Sequence, residues 1–117
     1  MGYLTTHVLD ITQGKPCAGV RVELFRLHGN EQESLRTLET NANGRSDPPL
    51  LQGDEFASGE YELVFDVADY FRRTGVLLGS PPFLSSVVIR FGVADSSQHY
   101  HVPLLISPWG YSTYRGS

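Results

Sequence analysis

Cysteine is almost missing from this chain: Cys17 stands alone among 117 residues, which rules out an internal disulfide and a zinc centre built from several thiolates. Base is also scarce. Nine Lys+Arg face thirteen Asp+Glu, a formal net charge of -4, and no window gathers base on one side, so a surface for tracking phosphates has no foundation and nucleic acid is not an expected partner. No stretch approaches the ~18 uninterrupted apolar residues of a membrane span. The first residues show neither the basic region nor the apolar run of a secretion signal. A soluble, unprocessed, cytoplasmic chain with no membrane partner is the expectation. The opening "MGYLTT" fits the loose pattern for N-myristoylation, yet apolar alternation begins at once, and a strand is the reading adopted. Also missing are the G-x-S-x-G elbow, the phosphate loop and the dinucleotide fingerprint.

What remains is ordinary for a globular protein: 40% hydrophobic, 11% aromatic and 19% charged residues, in a length that suits one domain over residues 1–117. Period-two alternation dominates. "GVRVELFRL" sets Val20, Val22 and Leu24 against Arg21 and Glu23, and "GEYELVFDV" sets Tyr61, Leu63 and Phe65 against Glu60 and Glu62. "LSSVVIRFGV" aligns Val87, Ile89 and Phe91, while "QHYHVPLLI" aligns Tyr100, Val102 and Leu104. "LTTHVLDI", "ESLRTLETN" and "GYSTYRG" complete a series of short strands, separated by turn signals such as "TQGKPCAG", "NANGRSDPP" and "ISPWG". This pattern predicts an all-β sandwich. One segment departs from it. "DVADYFRRTG" spaces Val67, Tyr70 and Phe71 three and four apart and closes on two arginines and Gly75, which predicts a short helix over Asp66 to Thr74. Pro103 removes a backbone donor from its strand, so a bulge or an exposed N–H side is expected there.

Three of the four histidines lie in strands. His99 and His101 are two apart and share a face, which leaves three readings open: two ligands of a metal, with His7 as a third; a general base and its orienter; or half-exposed strand polars. His7 falls on the face that carries Thr5 and Leu9. Arg45 lies in the turn "NANGRSDPPLL", where solvation alone would account for it, and His28 beside Gly29 reads as a turn residue. Glu60 and Glu62 read as the wet face of their strand.

Together, "HVLDITQGKPCAGVRVEL", "NANGRSDPPLL", "GEYELVFDVADYF" and "HYHVPLLISPWGYSTYRGS" resemble the 5-hydroxyisourate hydrolases, the transthyretin-related enzymes of urate breakdown, in order and over nearly the whole chain. The terminal "YRGS" is the most specific mark of that family. Cys17, Asn43 and Trp109 stand where alanine, aspartate and tyrosine are more usual.

The resemblance implies a transthyretin-like (prealbumin-like) fold of about eight strands in two four-stranded sheets with one short helix, "PLLQGDEF" supplying the eighth strand. It implies hydrolytic opening of a cyclic amide in 5-hydroxyisourate, without cofactor or metal. It further implies a homotetramer, a dimer of dimers with active sites at the dimer–dimer interface. The family's functional residues fall on His7, Arg45, His101 and Ser117, with His7, Arg45 and Tyr114 binding substrate. His99 is left to a structural or supporting role. Two rivals remain: a transthyretin-like carrier of a small ligand without catalysis, and an adhesion or carbohydrate module presenting Trp109 and Tyr111.

Overall fold

Inward-facing apolar residues build two sheets and one core. The computed structural model describes residues 2–116. Its strands are β1 (Tyr3–Asp10), β2 (Lys15–Pro16), β3 (Arg21–His28), β4 (Glu31–Glu39), β5 (Leu51–Gln52), β6 (Gly59–Asp66), β7 (Ser86–Val93), β8 (Tyr100–Ser107) and β9 (Gly110–Thr113), with helix α1 (Val67–Arg73) between β6 and β7. One sheet has the order β4-β3-β6-β7, all antiparallel. The other has the order β2-β1-β8-β9, with β5 also on β1. Within it β1 and β8 run parallel.

The alternating residues do what their spacing predicts. Val20, Val22, Leu24, Tyr61, Leu63 and Phe65 are all fully buried, and Val87, Tyr100, Val102 and Leu104 are buried with them in the core. Each large apolar side chain so removed from water contributes about 1.5–3 kcal/mol. Tyr61 is buried without losing its polar end: its hydroxyl donates to the Ala57 carbonyl at 2.6 Å and accepts from Arg26 at 2.9 Å. Helix α1 falls within the predicted span. Asp66 caps it by accepting from the Asp69 amide, and Val67, Ala68, Tyr70 and Phe71 face the core. At its end Gly75 takes a positive φ of 89° and its amide bonds the Arg72 carbonyl, the glycine stop that the sequence signalled.

Some details differ from expectation. The second sheet has five members rather than four, because one edge of β1 is shared: β5 pairs with Tyr3 and Leu4, and β2 with Leu9 and Asp10. Thus "PLLQGDEF" contributes only two strand residues, and "TQGKPCAG", read as a turn, contributes two more. Of the two outcomes expected at Pro103, the bulge is absent from β8, whose pairing with β1 runs in one register from Leu4↔Tyr100 to Asp10↔Ile106. Its missing N–H is instead accommodated opposite. The β8–β9 register runs from Ser107↔Gly110 to Leu104↔Thr113, lapses across Tyr114 and Arg115, and resumes as a bridge between His101 and Gly116. Since bonded pairs alternate along an antiparallel ladder, the pair that proline cannot complete is Pro103 with Tyr114. Finally, Glu62 is not on a wet face; it is buried, accepting from Gln32 at 2.9 Å with Arg90 at 3.6 Å.

Among the described residues no helix is long and apolar enough to cross a membrane.

Candidate active site

The outer face of the β1–β8 pair collects the polar residues that the inward apolar set leaves behind. Leu4, Thr6 and Val8 point into the core, so Thr5 and His7 point out; Tyr100 and Val102 point in, so His101 points out. Thr6 offsets the cost of its burial by donating to the Val102 carbonyl at 2.7 Å. In the parallel register Thr5 lies opposite His101 and His7 opposite Pro103. Two residues almost a chain length apart are thereby made neighbours.

The Thr5 hydroxyl lies 2.8 Å from His101 Nδ1 and 2.9 Å from His99 Nε2. His99 is held from its other side by Tyr3, whose ring stacks on it at 4.0 Å between centroids. The ring of His101 is backed by Gly116, whose amide donates to the His101 carbonyl at 2.7 Å. A side chain at Gly116 would collide with that ring, since a Cβ there would lie 2.7 Å from Cδ2.

Arg45 reaches the site because its loop is sewn onto the free stretch of the β1 edge. The Asn41 side chain accepts from the amides of Asn43 and Arg45, and the Asn41 amide donates to the Arg45 carbonyl at 2.8 Å. Gly44 then presents its carbonyl to the Val8 amide at 2.8 Å. It must be glycine: φ is 74°, and a Cβ would lie 2.4 Å from the Val8 carbonyl oxygen. Beyond it Arg45 bridges to His7. The Arg45 side chain itself is exposed and has no hydrogen bond or ion pair among the described residues.

Electrostatics confirm that these groups act on one another. His101 is pushed below the ordinary imidazole value by burial first, then by the charges of Arg45, His99 and His7. His7 is lowered by burial and by Arg45, while the backbone carbonyl of Asn43 works the other way. Both rings are therefore neutral at pH 7, the state in which an imidazole can accept a proton. Cys17 cannot compete as a nucleophile: it is buried, and burial pushes its thiol up to about 11.

The structure thus brings His7, Arg45 and His101 together and adds two residues. Sequence reasoning gave His99 only a supporting place and gave Thr5 none, although the alternation had already set Thr5 on the face of His7. Tyr114 is exposed and lines a cleft of about 220 Å³ with Ile89, Phe91, Tyr100, Val102 and Arg115. Ser117 lies outside the described residues. Among the described residues no three His, Cys, Asp or Glu side chains gather as a ligand set, and the facing nitrogens of the H-x-H pair both meet the Thr5 hydroxyl.

A family model described as "HIUase/Transthyretin family" matches residues 4–116. The chain belongs to the HIUase/Transthyretin family. It is 57% identical over 116 residues to 5-hydroxyisourate hydrolase 2 of Rhizobium meliloti (strain 1021), covering 99% of this chain and 97% of that protein. Among solved structures, that of Klebsiella pneumoniae 5-hydroxyisourate hydrolase superposes with a TM-score of 0.82 at 38% identity, covering all of both chains. Sea bream transthyretin in complex with thyroxine superposes with a TM-score of 0.86 at 25% identity, over 97% of this chain and 93% of that one. The two branches of the family thus share this fold, and the side chains on it must separate them.

Proposed function

We propose that this protein, one transthyretin-like domain over residues 1–117, hydrolyses 5-hydroxyisourate to 2-oxo-4-hydroxy-4-carboxy-5-ureidoimidazoline in urate breakdown, with no cofactor. The observation that carries the reading is the set of two neutral imidazoles and one guanidinium on a single sheet face, in a chain 57% identical along its length to a hydrolase of that name.

The chemistry has three needs. A water must be deprotonated near neutral pH, the oxyanion formed when it adds to the amide carbon must be stabilised, and the departing ring nitrogen must receive a proton as the C–N bond breaks. His7 and His101 serve the proton transfers. Arg45, its planar fork unengaged among the described residues, binds and polarises adjacent substrate oxygens. Tyr114 is assigned to the substrate pocket, and the hydroxyl of Ser117 to relaying or orienting a proton.

The working unit in this reading is a homotetramer, a dimer of dimers whose interface closes over the histidine face. Exposed Ile11, Trp109 and Tyr111 support such an assembly, because an open site would leave water around every charge that catalysis must sharpen. The cytoplasm is the assigned compartment, one in which a lone buried thiol stays reduced. Neither nucleic acid nor membrane enters the scheme.

A transthyretin-like carrier is the alternative, and the polar composition of the face argues against it: a cavity for an apolar ligand gains nothing from three imidazoles and a guanidinium. The deciding experiment follows the ultraviolet absorbance of freshly generated 5-hydroxyisourate, which decays spontaneously, with and without protein and with a chelator. Acceleration that survives the chelator and is lost in His101→Ala is expected. A decay no faster than the blank would return the carrier.

A further inference from the structure

We propose that Thr5 is a positioning residue whose single hydroxyl holds His101 as the Nδ1–H tautomer, with His99 as the second anchor of that hydroxyl, so that His101 Nε2 offers its lone pair to the water. The inference rests on the hydrolytic reading above and sharpens it, since that reading leaves open which imidazole is the base.

Proton counting links the two rings. A threonine hydroxyl has one hydrogen to donate and lone pairs with which to accept. Two ring nitrogens lie within hydrogen-bond distance of it, His101 Nδ1 at 2.8 Å and His99 Nε2 at 2.9 Å. Its one hydrogen cannot serve both nitrogens, and the hydroxyl has no other hydrogen-bond partner among the described residues, so with both rings neutral the arrangement that also uses that hydrogen gives it to one nitrogen and takes a proton from the other. In that arrangement the tautomers of the two histidines are tied together. With His101 Nδ1–H donating to Thr5 and Thr5 donating to His99 Nε2, the Nε2 of His101 is left bare. The opposite arrangement puts a proton on His101 Nε2 and removes it as a base. A neutral imidazole left to itself favours that opposite tautomer, so a base at this position needs a device to hold the other.

The surroundings suit such a device. Thr5 is β-branched and so restricted in χ1, and it lies opposite His101 in an unbroken parallel register. Tyr3 stacks on His99 and Gly116 backs His101, which restrains both rings against turning away from the hydroxyl. His99, which the reaction does not otherwise use, thereby gains a role as the acceptor, at Nε2, of the Thr5 proton. The other groups acting on His101 are Arg45 and His7, and neither bonds to its Nδ1.

Two substitutions test this. Thr5→Ser keeps the hydroxyl, while Thr5→Val keeps the shape and strand preference and removes it. Nitrogen-15 NMR of the histidine side chains reads the tautomer directly: Nδ1–H is expected for His101 in the wild type and in Thr5→Ser, with a shift toward Nε2–H in Thr5→Val. In turnover, Thr5→Val should lose about tenfold or more in kcat with KM little changed, and Thr5→Ser should restore most of it. Wild-type His101 protonated at Nε2 would overturn the proposal, and so would a Thr5→Val enzyme with unchanged kcat. The wild-type spectrum is decisive even if Thr5→Val does not fold. Should the wild-type chain fail to hydrolyse 5-hydroxyisourate at all, the functional reading would fall, and the tautomer would still be read independently.

Discussion

Gly116 and His101 are paired twice over: the Gly116 amide donates to the His101 carbonyl at 2.7 Å, and the missing side chain of the glycine makes room for the imidazole. A Cβ at residue 116 would lie 2.7 Å from Cδ2 and 3.3 Å from Cβ and Cγ of His101, closer than packed carbon atoms approach.

Gly116→Ala should therefore displace the imidazole while leaving both sheets folded. Misplacing a reacting group by about 1 Å costs up to roughly a hundredfold in rate, and a loss of about tenfold or more in kcat is expected with an unchanged circular dichroism spectrum. An alanine enzyme of full activity would mean that the ring position does not matter.

Arg45 should act on the pH profile as well as on binding. Burial, and then the Arg45 charge, hold His7 and His101 below the usual imidazole value, so the acid limb of kcat/KM in the wild type should lie below pH 6.5. Arg45→Gln removes the charge and should move that limb to higher pH while raising KM. Arg45→Lys keeps the charge and loses the planar fork, so KM should rise with the limb in place. A limb that does not move in Arg45→Gln would show that the charge does not reach the imidazoles.

Stability should carry the same sign. Each of these histidines binds a proton less readily folded than unfolded, so between pH 6.5 and the lowered folded value the unfolded chain takes up protons that the folded chain refuses. Melting temperature, at fixed protein concentration, should decline as the pH falls through that window. The double variant His7→Asn, His101→Asn should flatten the decline, and an equal slope in both proteins would contradict the assignment.

Gly44 and Gly14 offer a paired test of how the Arg45 loop is held. Both have positive φ, 74° and 67°, but a Cβ at Gly14 meets nothing within 4 Å, whereas one at Gly44 meets the Val8 carbonyl oxygen at 2.4 Å. Gly14→Ala should cost about 1 kcal/mol of backbone strain. Gly44→Ala should cost more than that, roughly 2 kcal/mol or above, and should raise KM because Arg45 shifts with its loop. Equal denaturation midpoints for the two variants would argue that the loop yields freely.

Much of the fold is legible in the residues alone, because burial on one side of a sheet imposes a period of two that the side chains must obey. Val20, Val22 and Leu24, or Tyr61, Leu63 and Phe65, announce their strands without reference to any partner. The helix is equally plain in Val67, Tyr70 and Phe71. Glu62 defeats the same reading for the complementary reason: its strand alternates, but its cover comes from Gln32 on β4, two strands away, and Arg90 on adjacent β7, and alternation along one strand carries no news of the others.

By itself, then, the order of residues determined the strand faces, the helix and its stop, and the presence of His7, Arg45, His101 and "YRGS" in a chain of this family. The tertiary structure alone decided that β1 lies parallel to β8 in the register that joins Thr5 to His99 and His101 across 94 and 96 positions. It also decided that β2, Arg45 and β5 share one edge of β1. The physical reason is that a strand's own pattern specifies which side chains turn inward, while its neighbours are selected by the free energy of closing the whole core, to which every distant segment contributes.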